Sequence, residues 1–396
     1  MKRILIISFY HPPDITPGAF RIKSIIDEIS KSKEKDILVD VITTEPNRYT
    51  SYNNKKLDNE SSDLNSTFVN IHKIKIPQNY NKLSLQILGF IIFAIHVLKF
   101  CFKKDWDILF ATSSRLMTAF LSAIIAHYKN IHLFLDIRDL FSDTVKDVFT
   151  GNFFKLIFPL IKFIESWTFK KASIINIVSP GFLSFVEEIN PNARILNFTN
   201  GIDDIFLNYN FNRSFSKNKK LRILYAGNIG SGQALETILP NFAKEKQDQC
   251  ELTVIGNGGT KHLLEKQIRM LDCKNINITD HISRSDLLKE YSKTDIFFLH
   301  LADLDCFHKV LPSKIFEYAS TGKPILAGVS GAAKDFLEQN VPWAFIFPPS
   351  DVLLCNKSFE SIASDYKVVN TDKFNQNFSR KKISSLLVKQ ILDYKS

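Results

Sequence analysis

Two doubly wound α/β domains are what this 396-residue sequence predicts, and three observations carry the prediction. Short, wholly apolar runs bounded by turn residues recur along the chain, as expected of strands buried on both faces of a parallel sheet. Stretches with apolar residues at helical spacing alternate with them. A polar break, NYNFNRSFSKNKK, interrupts the pattern near the middle, and a fresh array follows it. With 45% apolar residues the chain is long enough for two cores.

The first array opens at once. Ile4-Leu5-Ile6-Ile7-Ser8-Phe9 is too short an apolar run for a signal peptide and lacks a small-residue cleavage pattern, so it reads as a buried strand. The segment HPPDITPGAFRIKSIIDEIS then runs from a Pro/Gly loop into a helix with Ile22, Ile25, Ile26 and Ile29 on one face. Gly18 permits close approach to a ligand, and Arg21 in the first turn is within reach of a phosphate. Spacing alone slightly favours a plain strand-to-helix connection.

Leu38 to Thr44 is a second strand, Glu45 to Ser66 is expected to be a long mobile insertion, and Phe68 to Ile76 is a third strand. Leu83 to Lys104 is the most apolar part of the chain. A membrane-spanning helix needs about 20 predominantly apolar residues, and Gln86, His96 and Lys99 argue against one. The preferred reading is a helix buried beneath the sheet. The alternative is an interfacial helix ringed by Lys99, Lys103 and Lys104.

Asp107 to Ala111 is the next strand and Leu116 to His127 a helix. Leu133 to Phe141 is a strand that ends in charge. Asp136, Arg138 and Asp139 are costly at a strand end unless they pair or meet a ligand, so an Arg–Asp pair that fixes the loop and a catalytic role both fit. Phe153 to Ala172 reads as a basic, aromatic helix pair broken at Pro159, explained by lipid contact or by packing on the sheet. Ile174 to Ser179 closes that sheet, Pro180-Gly181 starts a helix, and Ile195 to Phe198 runs into the turn Thr199-Asn200-Gly201-Ile202-Asp203.

In the second array, Leu221 to Ala226 is a strand followed by Gly227-Asn228-Ile229-Gly230-Ser231-Gly232-Gln233. Such a loop leaves backbone N–H groups for a diphosphate, with a helix dipole behind them. Alone the signal is weak; its place at the head of a βα array strengthens it. Leu252 to Ile255 is a strand ending in Gly256-Asn257-Gly258-Gly259, and Ile276 to Ile278 precedes Asp280-His281-Ile282. Ser283 opens a helix as a capping segment, and Asp295 to Leu301 is a strand.

The chain is organised around KVLPSKIFEYASTGKPILAGVSG, residues 309–331. Pro312 suits a first helical turn, Gly322 suits a left-handed helix end, and Pro324 to Val329 is a buried strand. Glu317, between Phe316 and Tyr318, is either a solvated helix glutamate or a carboxylate for a sugar diol. Ile346 to Pro349 is a late strand edge, and Phe378 to Tyr394 is an amphipathic helix. The expected boundaries are 1–205 for the first domain, 206–220 for a linker, 221–375 for the second domain and 376–396 for a closing helix.

The formal charge of +10 suits an anionic partner, whether nucleotide, membrane surface or nucleic acid, although a lysine-rich composition accounts for it as well. Cys101, Cys250, Cys273, Cys306 and Cys355 show no CxxC or Cys/His spacing, which argues for a reducing compartment and against zinc.

PSKIFEYASTGKP resembles the donor-site segment of the family-four retaining glycosyltransferases with the GT-B fold. The similarity extends over nearly the whole chain, with residues 310–331 its most specific part. It implies two Rossmann-like domains facing across a cleft. The second would hold a nucleotide sugar, UDP-linked, the first an acceptor, and residues 376–396 would return to the first. By the same resemblance Glu317 binds the ribose, and Pro312, Ser313, Lys314, Gly227, Asn228, Gly230, Gln233, Gly256 and Asn257 line the nucleotide sugar. Ile282 neighbours the base, and Gly18, Phe20 and Arg21 face the cleft. Many relatives carry a histidine at the charged strand end; here the acceptor-side role falls to Asp139 and Arg138.

The sequence departs from the pattern twice. Asn228 and Gln233 stand where relatives carry the arginine and lysine that hold the diphosphate, and Lys309 stands where many have a first glutamate. Lys309 and Lys314 are the expected substitute cations. The resemblance further implies retention of configuration, no cofactor and no essential metal. It points to assembly of a bacterial surface polysaccharide, lipopolysaccharide or capsule, on a polyprenyl-linked or glycan acceptor at the cytoplasmic face of the inner membrane. The alternatives are a GT-B UDP-N-acetylglucosamine 2-epimerase and a basic nucleic-acid-binding protein. Against the latter, the basic residues are dispersed and no nucleic-acid motif accompanies them.

Overall fold

The computed structural model describes residues 2–14, 16–32, 36–45, 68–77, 83–148, 151–211 and 220–394. Beyond Glu45, the insertion expected at 45–66 lies outside them. The chain divides into two compact units, one of Met1–Val145, Gly151–Asn200 and Arg380–Ser396, the other of Lys146–Thr150 and Gly201–Ser379.

In chain order the first array comprises β1 (Lys2–Ile7), α1 (Pro17–Ser30), β2 (Ile37–Thr44), β3 (Val69–Ile74), α2 (Leu83–Cys101), β4 (Ile108–Thr112) and α3 (Leu116–Lys129). It continues with β5 (His132–Ile137), α4 (Phe141–Val148), α5 (Asn152–Lys170), β6 (Ile174–Ile177), α6 (Leu183–Ile189) and β7 (Arg194–Leu196). The seven strands form one parallel sheet in the order β3-β2-β1-β4-β5-β6-β7. Every residue of β4 and β6 is buried, which is why these strands read as unbroken apolar runs rather than alternating ones. The order reverses between β1 and β4, and the carboxyl ends of those two strands are where such sheets open a crevice.

The second array comprises α7 (Asp204–Leu207), β8 (Leu221–Ala226), α8 (Leu235–Glu245), β9 (Cys250–Ile255), α9 (Lys261–Met270), β10 (Ile276–Thr279), α10 (Arg284–Lys293) and β11 (Ile296–His300). It ends with α11 (Asp305–His308), α12 (Lys314–Ala319), β12 (Ile325–Gly328), α13 (Gly331–Asn340), β13 (Ala344–Phe347), α14 (Val352–Ser364) and α15 (Asp372–Phe378). Its six-stranded parallel sheet has the order β10-β9-β8-β11-β12-β13, with the reversal between β8 and β11.

The last helix, α16 (Arg380–Leu392), belongs to the first unit. Leu387, Val388 and Ile391 join Ile22, Ile25 and Ile29 of α1 in one core cluster, and Ser384 Oγ meets Ser24 Oγ at 2.8 Å. Lys2 Nζ donates to the Leu392 carbonyl at 2.6 Å, holding the helix end to the start of β1.

Four features differ from the sequence reading. The units divide after Asn200, and Phe206 and Phe211, inside the expected linker, are 2% and 5% exposed in the second core, where their rings lie tilted against Tyr291. Two aromatic anchors outweigh a polar local composition. Helix α5 is continuous through Pro159, because the proline sits on the exposed side where a freed carbonyl meets water. The strand expected over 133–141 stops at Ile137, and Phe141 already begins α4, whose first amides donate to the buried Glu165 carboxylate. Lastly, α2 is not buried: Ile87, Leu88, Ile91 and Ile95 are exposed. Its Ser84–Cys101 stretch is apolar and long enough to cross a membrane, with 22% of it buried. All five cysteines are unbridged.

Candidate functional site

The second unit gathers its polar and glycine residues at the β8/β11 reversal. Gly256, with φ +153, lies so close to the β8 loop that a Cβ would stand 1.8 Å from the Gly227 carbonyl oxygen, and one on Gly258 would stand 2.3 Å from that of Ile229. These glycines therefore serve contact between two loops. Amides that sequence reasoning reserved for a diphosphate are used in this contact and within the loop: Gly227 N–H goes to Ile255 O and Ile229 N–H to Asn257 O, while Gln233 N–H turns back to Gly230 O. Asn228 Nδ2 donates to Gln233 Oε1 at 2.9 Å over Gly230, closing the loop on itself. Asn257 accepts the Gly258 N–H and reaches Asp280 at 3.4 Å. Ile282 packs, half-buried, against the core.

His300 ties this loop to the rest of the edge. It is fully buried at the end of β11; Nδ1 donates to the Gln233 carbonyl at 2.7 Å and Nε2 accepts the Ser350 N–H at 2.9 Å. Both bonds fix the neutral tautomer, and burial pushes its pKa down to about 4. Gly328 on the adjacent strand makes room for the ring, since a Cβ there would meet His300 Cδ2 at 2.3 Å. Sequence reasoning missed His300; a lone histidine ending an apolar strand is its only signal.

Helix α12 spans Lys314–Ala319, and the turn that opens it uses the carbonyls of Pro312 and Ser313, which accept from the Ile315 and Phe316 N–H groups at 3.2 Å each. Gly322 follows it with φ +71, as expected, and donates to Ala319 O. Glu317 points out of α12 with its side chain 15% exposed. Its Oε2 accepts from Lys314 Nζ at 2.7 Å and from the Tyr291 hydroxyl at 3.1 Å. Neither bond uses Oε1. Lys314, expected to be a cation for a leaving group, is thus committed to Glu317. Lys309 is half-buried at the end of α11.

The first-unit candidates sit at the β1/β4 reversal, but several are structural. Arg21 is 3% exposed and grips the fully buried Asp136 with two bonds, at 2.8 and 2.9 Å. Its remaining donors reach the carbonyls of Phe198 and Thr199. It is therefore a neutralising partner inside the fold and does not face a phosphate. Asn176 Nδ2 gives Asp136 a further bond at 2.7 Å, satisfying a carboxylate that would otherwise be costly to bury. Gly18 admits Ser114, whose Oγ would stand 2.5 Å from a Cβ there, so its smallness serves a loop contact. Phe20 is half-buried in the first turn of α1, where Thr16 caps the helix.

Arg138 and Asp139 form no ion pair with each other. The Arg138 backbone N–H donates to Ser113 Oγ at 2.8 Å, and its Nη1 is buried with no partner. Burial, with Arg21 nearby, lowers its pKa to about 10, still charged at neutral pH. Asp139 is exposed. Among the described residues no group of three or more His, Cys, Asp or Glu side chains is placed to hold a metal ion.

Residues 208–382 match the family model described as glycosyl transferases group 1. No curated protein matches the sequence. Among solved structures the chain is similar to HepE of Anabaena in complex with UDP and glucose, with a TM-score of 0.69 at 13% identity, covering 100% of both chains. It is similar also to the lipopolysaccharide outer core galactosyltransferase WaaB, with a TM-score of 0.64 at 12% identity, covering 98% of this chain and 100% of that one. A third is WaaG, a glycosyltransferase involved in lipopolysaccharide biosynthesis, with a TM-score of 0.61 at 10% identity, covering 98% and 95%. With the two parallel sheets, these likenesses establish the GT-B fold.

Proposed function

We propose that this chain, which has the GT-B fold and matches the glycosyl transferases group 1 model over residues 208–382, moves a sugar from a UDP-linked donor to a lipid-linked acceptor, with retention, in building a bacterial surface glycan. The observation that carries the reading is Glu317. A carboxylate held through one oxygen by Lys314 and Tyr291 keeps the other for a ligand, and a vicinal diol such as ribose is the matching donor pair. The UDP bound to HepE and the lipopolysaccharide named for WaaB and WaaG support the donor and the pathway by analogy.

In this reading unit 2 holds the donor, with Pro312, Ser313 and Asn257 lining it, and unit 1 holds the acceptor. The bond from the sugar's anomeric carbon to the diphosphate oxygen breaks, and the diphosphate leaves with the electron pair. The acceptor oxygen bonds to that carbon from the same face, and its proton passes to the departing diphosphate. Lys309 stabilises the leaving charge, and no step requires a metal. Asp139 and Arg138 position the acceptor at the cytoplasmic face of the inner membrane.

A thermal-shift screen of nucleotides and nucleotide sugars tests this. A ligand at 100 times its dissociation constant stabilises by about 2.7 kcal/mol, so UDP and one UDP-sugar are expected to raise the midpoint while CMP- and GDP-sugars do not. If no uridine nucleotide shifts it, the reading fails. Acceptor-independent release of UDP with a sugar inverted at C2 would instead mark a 2-epimerase.

A further inference from the structure

We propose that unit 1 takes a phosphorylated amphiphile, with Arg115 and Arg138 receiving its phosphate and the exposed face of α2 receiving its hydrocarbon chain. This deepens the lipid-linked acceptor reading and rests on it.

Three observations carry it. Arg115 and Arg138 lie on the loops after the adjacent strands β4 and β5, joined by the Arg138 N–H bond to Ser113 Oγ. In each guanidinium Nη1 is buried and meets no acceptor. Asp136, the buried carboxylate whose charge acts on Arg138, is already bonded to Arg21 and Asn176. An unmet buried donor is costly, and planar guanidinium forks match a phosphate's oxygens.

Next, Arg115 is tied to α2. Its guanidinium lies 4.4 Å over the Phe9 ring, which packs against Phe90 and Phe93 of that helix, and its Nη2 stands 3.5 Å from Gln86 Oε1. Finally, α2 turns Ile87, Leu88, Ile91 and Ile95 to solvent, each between 45% and 52% exposed. A contiguous apolar face beginning beside a cation complements an ionic head on a hydrocarbon chain.

Titration calorimetry on the full chain, with UDP saturating and again without it, tests this using geranyl phosphate, geraniol and inorganic phosphate. Geranyl phosphate is expected to bind at least tenfold tighter than either fragment, with UDP present or absent. Arg115→Gln and Arg138→Gln should each weaken it at least tenfold. Ile87→Ser with Ile91→Ser should weaken geranyl phosphate and leave inorganic phosphate unchanged. An unaltered thermal unfolding profile in all variants, read together with UDP affinity, would show that both units are folded.

Equal affinity in the arginine variants overturns the proposal. So does displacement of geranyl phosphate by UDP, which would put the arginines on the donor. Binding only to phosphatidylglycerol vesicles, with no affinity for geranyl phosphate, would make α2 a lipid-docking face and overturn it too. Failure of the wild-type chain to bind UDP would sink the donor reading and leave the measurement without UDP intact.

Discussion

The Tyr318 hydroxyl holds both backbone groups of Ala226, accepting its N–H at 2.9 Å and donating to its carbonyl at 3.2 Å. Strand β11 pairs with β8 only at Ile223 and Leu224, so at Ala226 that side of β8 has no ladder partner. A side chain from α12 takes the place of the missing strand. It also fixes Glu317, one residue earlier, relative to the glycine loop that starts one residue later.

Tyr318→Phe removes two bonds and leaves a buried amide unmet, a cost of about 1–3 kcal/mol. The expected outcome is a lower thermal midpoint for the second unit and weaker UDP binding. An unchanged midpoint would show that water replaces the hydroxyl.

Glu317→Gln keeps the shape of the carboxylate and loses its charge. If Oε1 takes a ribose diol, UDP affinity falls about tenfold, equivalent to about 1.4 kcal/mol. Tyr291→Phe, which only frees the carboxylate to rotate, is expected to give a smaller loss. Isothermal titration with UDP separates the two, and equal affinities across wild type and both variants would remove Glu317 from the site.

The pH dependence of stability follows from His300. Its folded pKa of about 4 lies below the ordinary value of 6.5, so the unfolded chain binds the extra proton first. Its contribution is complete above pH 6.5 and is lost as pH falls toward 4, to a total of about 3 kcal/mol. His300→Gln can still donate to Gln233 O and accept from Ser350 N–H without titrating. Urea midpoints between pH 7 and 4.5 should therefore fall less steeply in the variant, and parallel slopes would refute the assignment.

How much of this was legible depends on sequence distance. Parallel strands buried on both faces announce themselves as apolar runs, and Gly322 marks its helix end because left-handed backbone favours glycine. Arg21 did not announce itself: Asp136 lies 115 residues away, and nothing local distinguishes a neutralising arginine from one that meets a ligand. The glycines at 227, 256 and 258 were visible, but loop-to-loop contact and ligand approach select the same residue. Exposure of α2 was hidden because composition reports apolarity and not what covers it.

Lys323 offers a sharper test of how α10 is held behind Glu317. Its ammonium is fully buried, and Nζ donates to the carbonyls of Tyr291, Ser292 and Thr294 at 2.8, 2.8 and 2.7 Å. These carbonyls lie at the end of α10, where a cation also meets the negative end of the helix dipole. Lys323→Met keeps the volume and strands the Ser292 and Thr294 carbonyls, while Tyr291 O keeps only the Thr294 N–H at 3.3 Å, so a loss of about 3 kcal/mol is expected. Because Tyr291 both supplies one of those carbonyls and donates to Glu317, the variant should weaken UDP binding even at temperatures where it is fully folded. Normal UDP affinity in a destabilised Lys323→Met would mean that the end of α10 and the carboxylate on α12 are uncoupled.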